Sequence, residues 1–493
     1  MKLKNIIEGI NGIEKIQGKA SFEIVGIASD SRAIKDGYLF IALKGEKFNG
    51  SDFIDEAIDR GAVAVIQDSQ KGDFVKPNRG AVFIYVKDAR SILANICNIF
   101  YGNISNDMNL TGVTGTNGKT TITYLIENIF KTRSLDIGVV GTVNYRFGKR
   151  SIPALNTTPG ILDLYSLLDK MKKESIKNCV MEASSHSLAQ GRLEGLCFNA
   201  AIFTNLTREH LDYHRDMEDY FNSKLKLFSK IKKGGFAVVN KDDPYSERII
   251  EKVASEKMAN IITYGIDKGN DVYAEDIKSS FSGLDFILCT RGDSLKISSS
   301  LIGRYNVYNI LAASACGIAS GMKLHEIKPG IESLKNLPGR LERVNCGQDF
   351  LVFVDYAHTE DGLRNVLKAL KELGPNRLFT VFGCGGDRDK QKRPSMGKIS
   401  SELSDKVYLT SDNPRSEDPN AIIQEIISGI SLDKKNYIVE IDRARAILSA
   451  LEEAGKGDIV LVAGKGHETY QIFKNNTLPF DDREVVRRAL CLQ

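Results

Sequence analysis

Short, uniformly apolar runs alternate with amphipathic, polar-faced stretches along most of this chain. Runs at 38–43 and 62–66 flank a helical pattern at about 51–60, the mark of an α/β unit. Turn residues cluster at 101–106, and the alternation then resumes with runs at 109–113, 137–140, 179–183, 200–203 and 236–239. Runs that are apolar at every position predict parallel strands buried on both faces. A helix expected over about 306–320 closes this second segment, and the chain turns again near Leu337-Pro-Gly-Arg340. Further runs at 350–354, 378–382, 406–410, 437–441 and 458–463, with a helix over 419–430, suggest a doubly wound sheet of Rossmann type. No G-x-G-x-x-G turn accompanies it, so no dinucleotide is expected there.

Length and composition narrow the class. A chain of 493 residues exceeds one core, so three α/β domains are expected, at 1–98, 99–336 and 337–493. The net charge of +4 is spread along the sequence, which does not call for nucleic acid. No apolar stretch approaches the roughly 18 residues that span a bilayer, and the first residues lack a cleavage signal. Eight cysteines, at 97, 179, 197, 289, 316, 346, 384 and 491, are scattered without a C-x-x-C pair. That spacing predicts reduced thiols in a cytoplasmic enzyme and neither a zinc knuckle nor a disulfide frame.

Candidate chemistry centres on residues 109–121, an apolar strand followed by Gly115-Thr-Asn-Gly-Lys-Thr-Thr121. Gly115 and Gly118 let backbone N–H groups of the Thr116 and Asn117 turn face a phosphate, and the following helix adds its positive end. Lys119 would reach the β/γ-phosphates, the Thr120 hydroxyl would ligate Mg²⁺, and Thr121 completes the ATP-binding run. Valine at 113 departs from the strict P-loop pattern.

Glu182 ends an apolar run in Met181-Glu-Ala-Ser-Ser-His186, where a carboxylate can hold Mg²⁺ directly or through water. His186 taken alone reads as a buried, hydrogen-bonded histidine. His210, in Asn205-Leu-Thr-Arg-Glu-His-Leu-Asp-Tyr-His214, is a candidate metal or phosphate contact. Lys224 lies beside the apolar stripe Phe221, Leu225 and Phe228 of an amphipathic helix. By default its stem covers the core edge with the ammonium in water. Alternatively, a neutral amine there could capture CO₂ as a carbamate that ligates Mg²⁺. Sequence leaves both readings open.

These motifs, followed in order by Gly303-Arg-Tyr-Asn-Val-Tyr-Asn309, Pro338-Gly-Arg340, Asp355-Tyr-Ala-His-Thr359, Gly383-Cys-Gly-Gly-Asp-Arg-Asp389, Asp412-Asn-Pro-Arg415 and Gly464-Lys-Gly-His-Glu468, resemble the Mur ligases. The resemblance runs from Asp30-Ser-Arg32 to Asp481-Asp-Arg483 and favours the branch that adds the third residue of the peptidoglycan stem peptide. It implies a uridine-nucleotide domain, a central P-loop domain and a C-terminal Rossmann-like domain. The implied reaction joins the D-Glu carboxylate of UDP-MurNAc-L-Ala-D-Glu to an amine, with ATP as co-substrate and Mg²⁺ as cofactor.

By the same resemblance Asn309, Arg340, Asp355 and His358 join the ATP site, and Thr120, Glu182, His210 and carbamylated Lys224 surround the metal. The UDP-MurNAc-dipeptide would meet Ser29, Ser31, Glu46, Lys47, Phe48, Asn156, Thr157, Thr158, Ser184, Gln190 and Arg192. The amino acid would meet Arg388, Asp412, Asn413, Pro414, Arg415, Gly464 and Glu468. Arg415's planar fork suits the distal carboxylate of meso-diaminopimelate, which L-lysine lacks, and Glu468 suits the distal ammonium. Glu360 stands where the family usually has proline, which alters backbone stiffness beside the nucleotide. The alternatives are the same ligase using L-lysine, a folate-polyglutamylating relative and a nucleotide-binding scaffold without catalysis. A monomer in the cytoplasm, acting on small molecules, is expected.

Overall fold

The apolar runs at 38–43 and 62–66 form neighbouring parallel strands, Tyr38–Ala42 and Ala62–Asp68. A computed structural model describes residues 1–45, 48–69, 80–257 and 259–491. The chain divides into two compact units. One comprises Met1–Leu110 with Thr158–Cys179 and Ser187–Cys197; the other comprises Thr111–Thr157, Val180–His186 and Phe198–Gln493.

Among the described residues the first unit holds a five-stranded sheet in the order Ile13–Gln17, Val82–Val86, Ala62–Asp68, Tyr38–Ala42 and Gly26–Ala28. Only the first pair runs antiparallel. Phe40, Val65, Phe83 and Tyr85 pack its buried face. Strand Val82–Val86 is buried at every residue, which follows from its place between two neighbours.

Among the described residues the second unit contains two large sheets and a two-stranded ribbon, Tyr470–Phe473 with Asn476–Pro479. Among the described residues the larger has eleven strands, with Asn109–Thr114 between Phe198–Phe203 and Asn178–Glu182 at its centre. Parallel pairing to Phe198–Phe203, and from there to Ile231–Asn240, sends their carboxyl ends to one edge. Thr114, Phe203 and Asn240 therefore end at that edge, where open α/β sheets bind ligands, and Ala183, next to Glu182, accepts the Thr114 hydroxyl there at 2.8 Å. Helix Lys119–Lys131 buries Ile122, Leu125, Ile126 and Ile129 against Val307, Leu311, Ile327 and Ile331. The expected helix at 306–320 is Tyr305–Ala319. Beyond the parallel centre, Val272–Ser280, Gly283–Thr290 and Ser294–Ser299 extend the sheet antiparallel. In Val272–Ser280 and Ser294–Ser299 exposed or half-buried positions interrupt the buried ones, because one face meets water, so these two carry no continuous apolar run.

The smaller sheet has the order Glu342–Val344, Leu351–Asp355, Ile459–Ala463, Leu378–Phe382, Lys406–Leu409 and Tyr437–Val439. All pairs after the first are parallel. Asp355, Phe382, Leu409 and Ala463 thus launch their loops from one edge, and separate cores cover the two faces. One expectation fails here. Cys346 and Cys491 form a disulfide across 145 residues of chain, so the thiols are not all reduced. Sequence spacing missed it because the pair meets only after the C-terminal helix Asp482–Cys491 docks.

Candidate functional site

The phosphate loop lies between strand Asn109–Thr114 and helix Lys119–Lys131, as expected. Gly115 has φ +142°, and a Cβ there would come within 1.8 Å of the Thr204 hydroxyl, so no other residue fits. Gly118 immediately precedes the helix. Asn205 braces the loop by accepting the Asn117 N–H at 2.9 Å. Lys119 Nζ donates to the carbonyls of Gly115 at 2.9 Å and Thr116 at 2.7 Å. Burial lowers its pKa, opposed by the carboxylates of Glu209 and Glu182.

Glu182 is 1% exposed at the end of its strand. Its carboxylate accepts the Thr120 hydroxyl at 3.2 Å, the Thr142 hydroxyl at 2.8 Å and the Thr142 N–H at 2.9 Å. Thr120 and Glu182 thus present hard oxygen donors, the kind that suits Mg²⁺, a cation that retains several waters. Among the described residues no three His, Cys, Asp or Glu side chains cluster as a metal site, so any wider ligand set needs other donors.

Lys224 does not keep its head in water. It is 2% exposed, and Nζ donates to the Gly115 carbonyl at 2.8 Å while lying 4.2 Å from the Tyr220 ring centroid. Burial, reinforced by the charge of Lys119, holds its pKa well below the usual lysine range. A lowered pKa favours the neutral amine that CO₂ capture requires. His210 shares the neighbourhood, edge-on to His186 at 4.6 Å between centroids. Burial pushes His210 down to about 4, against the pull of Glu209, so it is neutral at pH 7. His214 packs on Tyr220 and faces Asp219 at 3.4 Å.

Glu209 carries a role the sequence did not single out. Its carboxylate lies 3.6 Å from His210 Nε2 and 3.5 Å from His358 Nε2. Burial raises its pKa, but His210, His358 and Lys119 together hold it well below the usual carboxylate range. The only signal was an acid immediately before His210. Asp361 was missed too: it accepts Asn117 Nδ2 at 2.7 Å and the Thr207 hydroxyl at 3.3 Å, tying helix Glu360–Lys371 to the phosphate loop. Glu360 begins that helix and pairs with Arg364 at 3.0 Å.

Asn309, Arg340, Asp355 and His358 line one cavity of about 640 Å³ together with Asn117, Gly118 and Thr120. Arg340 donates to the Thr120 hydroxyl at 3.2 Å and stands over the Tyr356 ring. Asp355, raised by burial against the charge of Arg340, accepts the N–H groups of Leu341 at 2.6 Å and Ala357 at 2.7 Å. His358 meets the Tyr356 carbonyl at 2.8 Å.

The proposed amino-acid residues converge at the edge of the six-stranded sheet. Asn413 Nδ2 donates to Glu468 Oε2 at 2.9 Å, and the fully buried Lys465 donates to the same oxygen at 3.1 Å and to Asn413 Oδ1 at 3.2 Å. Asp412 accepts the Asn413 N–H at 2.6 Å, and Gly464 passes against Asp412. Pro414 is buried, and Arg415 donates to the Gly386 carbonyl at 2.6 Å. Burial and the neighbouring charge of Arg388 push the Arg415 pKa down, a like-charged pair that favours an anion.

The proposed dipeptide residues are divided between the units. In the first, the Ser31 hydroxyl donates to Glu56 at 2.9 Å, Ser29 is exposed, and Phe48 is largely exposed against Phe53. Arg192 there donates to the Thr158 carbonyl at 2.8 Å and to Gln190 at 2.7 Å. In the second, the Thr157 hydroxyl meets Thr142 at 3.1 Å, and the Asn156 carbonyl accepts the Tyr145 hydroxyl. Ser184 follows the Glu182 strand. Glu46 and Lys47 lie outside the described residues.

Three family models cover most of this chain: Mur ligase family, catalytic domain at 23–101, Mur ligase middle domain at 113–317, and Mur ligase, glutamate ligase domain at 339–466. The chain belongs to the Mur ligase family. It is 47% identical over 475 residues to the UDP-N-acetylmuramoyl-L-alanyl-D-glutamate--2,6-diaminopimelate ligase of Solibacter usitatus, covering 96% of this chain and 94% of that one. Its identity to the ligase of the same description from Caldanaerobacter subterraneus is 43% over 490 residues, covering 99% of both. A solved structure of a ligase so described matches with TM-score 0.70 at 34% identity, covering 100% of this chain and 99% of the other. The Mur ligase of Thermotoga maritima solved with ADP, MurF, shares the fold at TM-score 0.67 and 22% identity, over 89% of this chain and 93% of that one.

Proposed function

We propose that this Mur ligase joins meso-diaminopimelate to the D-Glu of UDP-MurNAc-L-Ala-D-Glu, converting ATP to ADP and phosphate. A carboxylate is a poor acylating agent, so its oxygen first takes the γ-phosphoryl group, giving an acyl phosphate and ADP. The neutral amine then attacks the acyl carbon, the tetrahedral intermediate expels phosphate, and the amide remains. Lys119, the loop N–H groups and the helix N-terminus hold the phosphates while charge moves onto the leaving oxygen. Arg340, which reaches Thr120 across the cavity, adds a second cation to that region. Thr120 and Glu182 would hold Mg²⁺, with His210 and a Lys224 carbamate at a further position. Bound Mg²⁺ supplies charge neutralisation where anions must meet. Glu209, kept ionised, orients His358 and His210.

The choice of amine rests on Arg388 and Arg415, two guanidinium groups beside Glu468. They suit an amino acid whose distal centre carries both carboxylate and ammonium. Asn413 and Lys465 occupy Glu468 Oε2, which leaves Oε1 for an ammonium. The relatives named as diaminopimelate ligases support the same choice. Ser31, Phe48, Thr158, Gln190 and Arg192, with Asn156, Thr157 and Ser184, would hold the nucleotide-linked dipeptide. Domain boundaries near 98 and 336, a monomer and a cytoplasmic setting complete the proposal; no helix among the described residues is long and apolar enough to cross a membrane.

The test is phosphate release with UDP-MurNAc-dipeptide and ATP, offering diaminopimelate, L-lysine and D-alanyl-D-alanine in turn. Diaminopimelate should support turnover far better than either competitor, and Lys119→Ala should abolish it. Equal turnover with L-lysine would refute the amine assignment. ATP binding without amine-dependent phosphate release would refute the ligase.

A further inference from the structure

Arg393 has no part in the site as described, yet it is among the most buried charges in the molecule. It lies on helix Lys392–Leu403 with a side chain 0% exposed. Nη1 donates to Glu417 Oε2 at 2.9 Å and Glu425 Oε2 at 2.8 Å. Nη2 donates to Glu417 Oε1 at 2.9 Å and to the Gly385 carbonyl at 3.1 Å. Glu417 Oε1 also accepts the Asp387 N–H at 2.6 Å, and the Asp387 carboxylate accepts the Ser416 hydroxyl at 2.6 Å.

Those bonds fasten two loops, 385–388 and 413–417, that carry the two guanidinium groups assigned to the amino acid. Gly386 N–H reaches the Asn413 carbonyl at 2.9 Å, and Arg415 Nη1 returns to the Gly386 carbonyl at 2.6 Å. Approach is so close that a Cβ at 386 would lie 1.9 Å from the Pro414 carbonyl oxygen. Each loop also holds one non-glycine residue with left-handed backbone, Asp387 at φ +53° and Arg415 at φ +52°. Residues persist in that region only where their surroundings over-determine it.

We propose that Arg393, acting through Glu417, is the positioning residue for amino-acid selection: it sets the 385–388 loop, whose Gly386 carbonyl aims the Arg415 guanidinium. The inference rests on the reading of Arg415 as the contact for the substrate's distal carboxylate. A planar fork is needed because one side chain must meet both Glu417 oxygens and the Gly385 carbonyl together. Lysine offers one point charge on a flexible stem and cannot hold all three in fixed directions. Glu425 accepts the other Nη1 hydrogen bond and is outside both loops, whereas Glu417 lies in one loop and accepts the Asp387 N–H of the other, so fastening belongs to Glu417.

Steady-state kinetics of the full-length enzyme tests this, comparing Arg393→Lys, Glu417→Gln and Arg415→Ala with each substrate varied in turn. Arg393→Lys and Glu417→Gln should raise the KM for diaminopimelate by about tenfold or more, while the KM for ATP stays within about twofold. Their preference for diaminopimelate over L-lysine should fall in parallel. Arg415→Ala should lose that preference more completely. If Arg415→Ala keeps the preference, the reading of the site fails and takes the positioning role with it. If Arg415→Ala loses it while folded Arg393→Lys and Glu417→Gln retain wild-type KM and preference, the positioning role alone is overturned. Lower melting temperature or kcat with unchanged preference overturns it equally, since a merely structural bolt would do that. Should Arg393→Lys fail to fold, Glu417→Gln reads the same contact.

Discussion

Lys224 and Lys119 converge on one oxygen: both ammonium nitrogens lie within hydrogen-bond distance of the Gly115 carbonyl, at 2.8 and 2.9 Å. Two like charges sharing an acceptor in a buried place is an expensive arrangement unless one of them is neutral. Lys224 is the one that gives way, because burial and Lys119 both act against its charge.

The depressed pKa fixes a sign. An unfolded chain holds the Lys224 proton up to about 10.5, so stability from this group rises with pH toward that value and is reduced below it. Lys224→Met, which has no charge to bury, should therefore melt at pH 7 no lower than wild type while losing ligase activity. Wild-type activity should fall in bicarbonate-free buffer and return when bicarbonate is added. Calorimetry and a phosphate-release assay check both; activity indifferent to bicarbonate would end the carbamate reading.

Asp361 links the six-stranded part to the phosphate loop through Asn117 and Thr207. Asp361→Ala removes the acceptor from these two part-buried donors, which costs at most about 1–3 kcal/mol for each group. The KM for ATP should rise by roughly tenfold with little change in that for diaminopimelate. A selective loss of diaminopimelate binding would contradict this assignment.

His467 is pushed down to about 4 by burial, with Arg340 and Arg483 adding to the effect. Between about 6.5 and 4 the unfolded chain binds a proton that the folded chain refuses, so stability falls as pH drops through that window. Melting temperatures from pH 7.5 to 4.5 should decline below 6.5, and His467→Asn should flatten part of the slope. An unchanged profile in the variant would assign the acid sensitivity elsewhere.

The Cys346–Cys491 pair leaves six cysteines outside the disulfide, of which only Cys197 is exposed. A thiol reagent should find one fast-reacting group in the native protein and six after denaturation without reductant. Closing a loop of this length contributes about 5 kcal/mol in the chain-entropy model, so reductant should lower the melting temperature. Eight thiols in the denatured, unreduced protein would disprove the pairing.

Much of the molecule was legible beforehand, for reasons that differ by residue. Strand Leu378–Phe382 could be read because a parallel strand buried on both faces must be apolar throughout. Strand Ser294–Ser299, exposed on alternate residues, could not. Gly115, Lys119, Thr120 and Glu182 were visible because a phosphate cradle at a strand end needs those residue types at fixed local spacing. Glu209, Asp361 and Arg393 were invisible, since an acid or arginine beside ordinary polar residues has no local pattern.

Local spacing along the sequence determined the alternation of strands and helices, the phosphate loop and the ordered motifs of a Mur ligase. Only the tertiary structure decided which charges are buried together: Lys224 on Gly115, Glu209 between two histidines, Arg393 beneath the loops that hold Arg415. The physical reason is that a side chain's charge state depends on desolvation and on neighbours brought from far along the chain. Neither is encoded within any one segment.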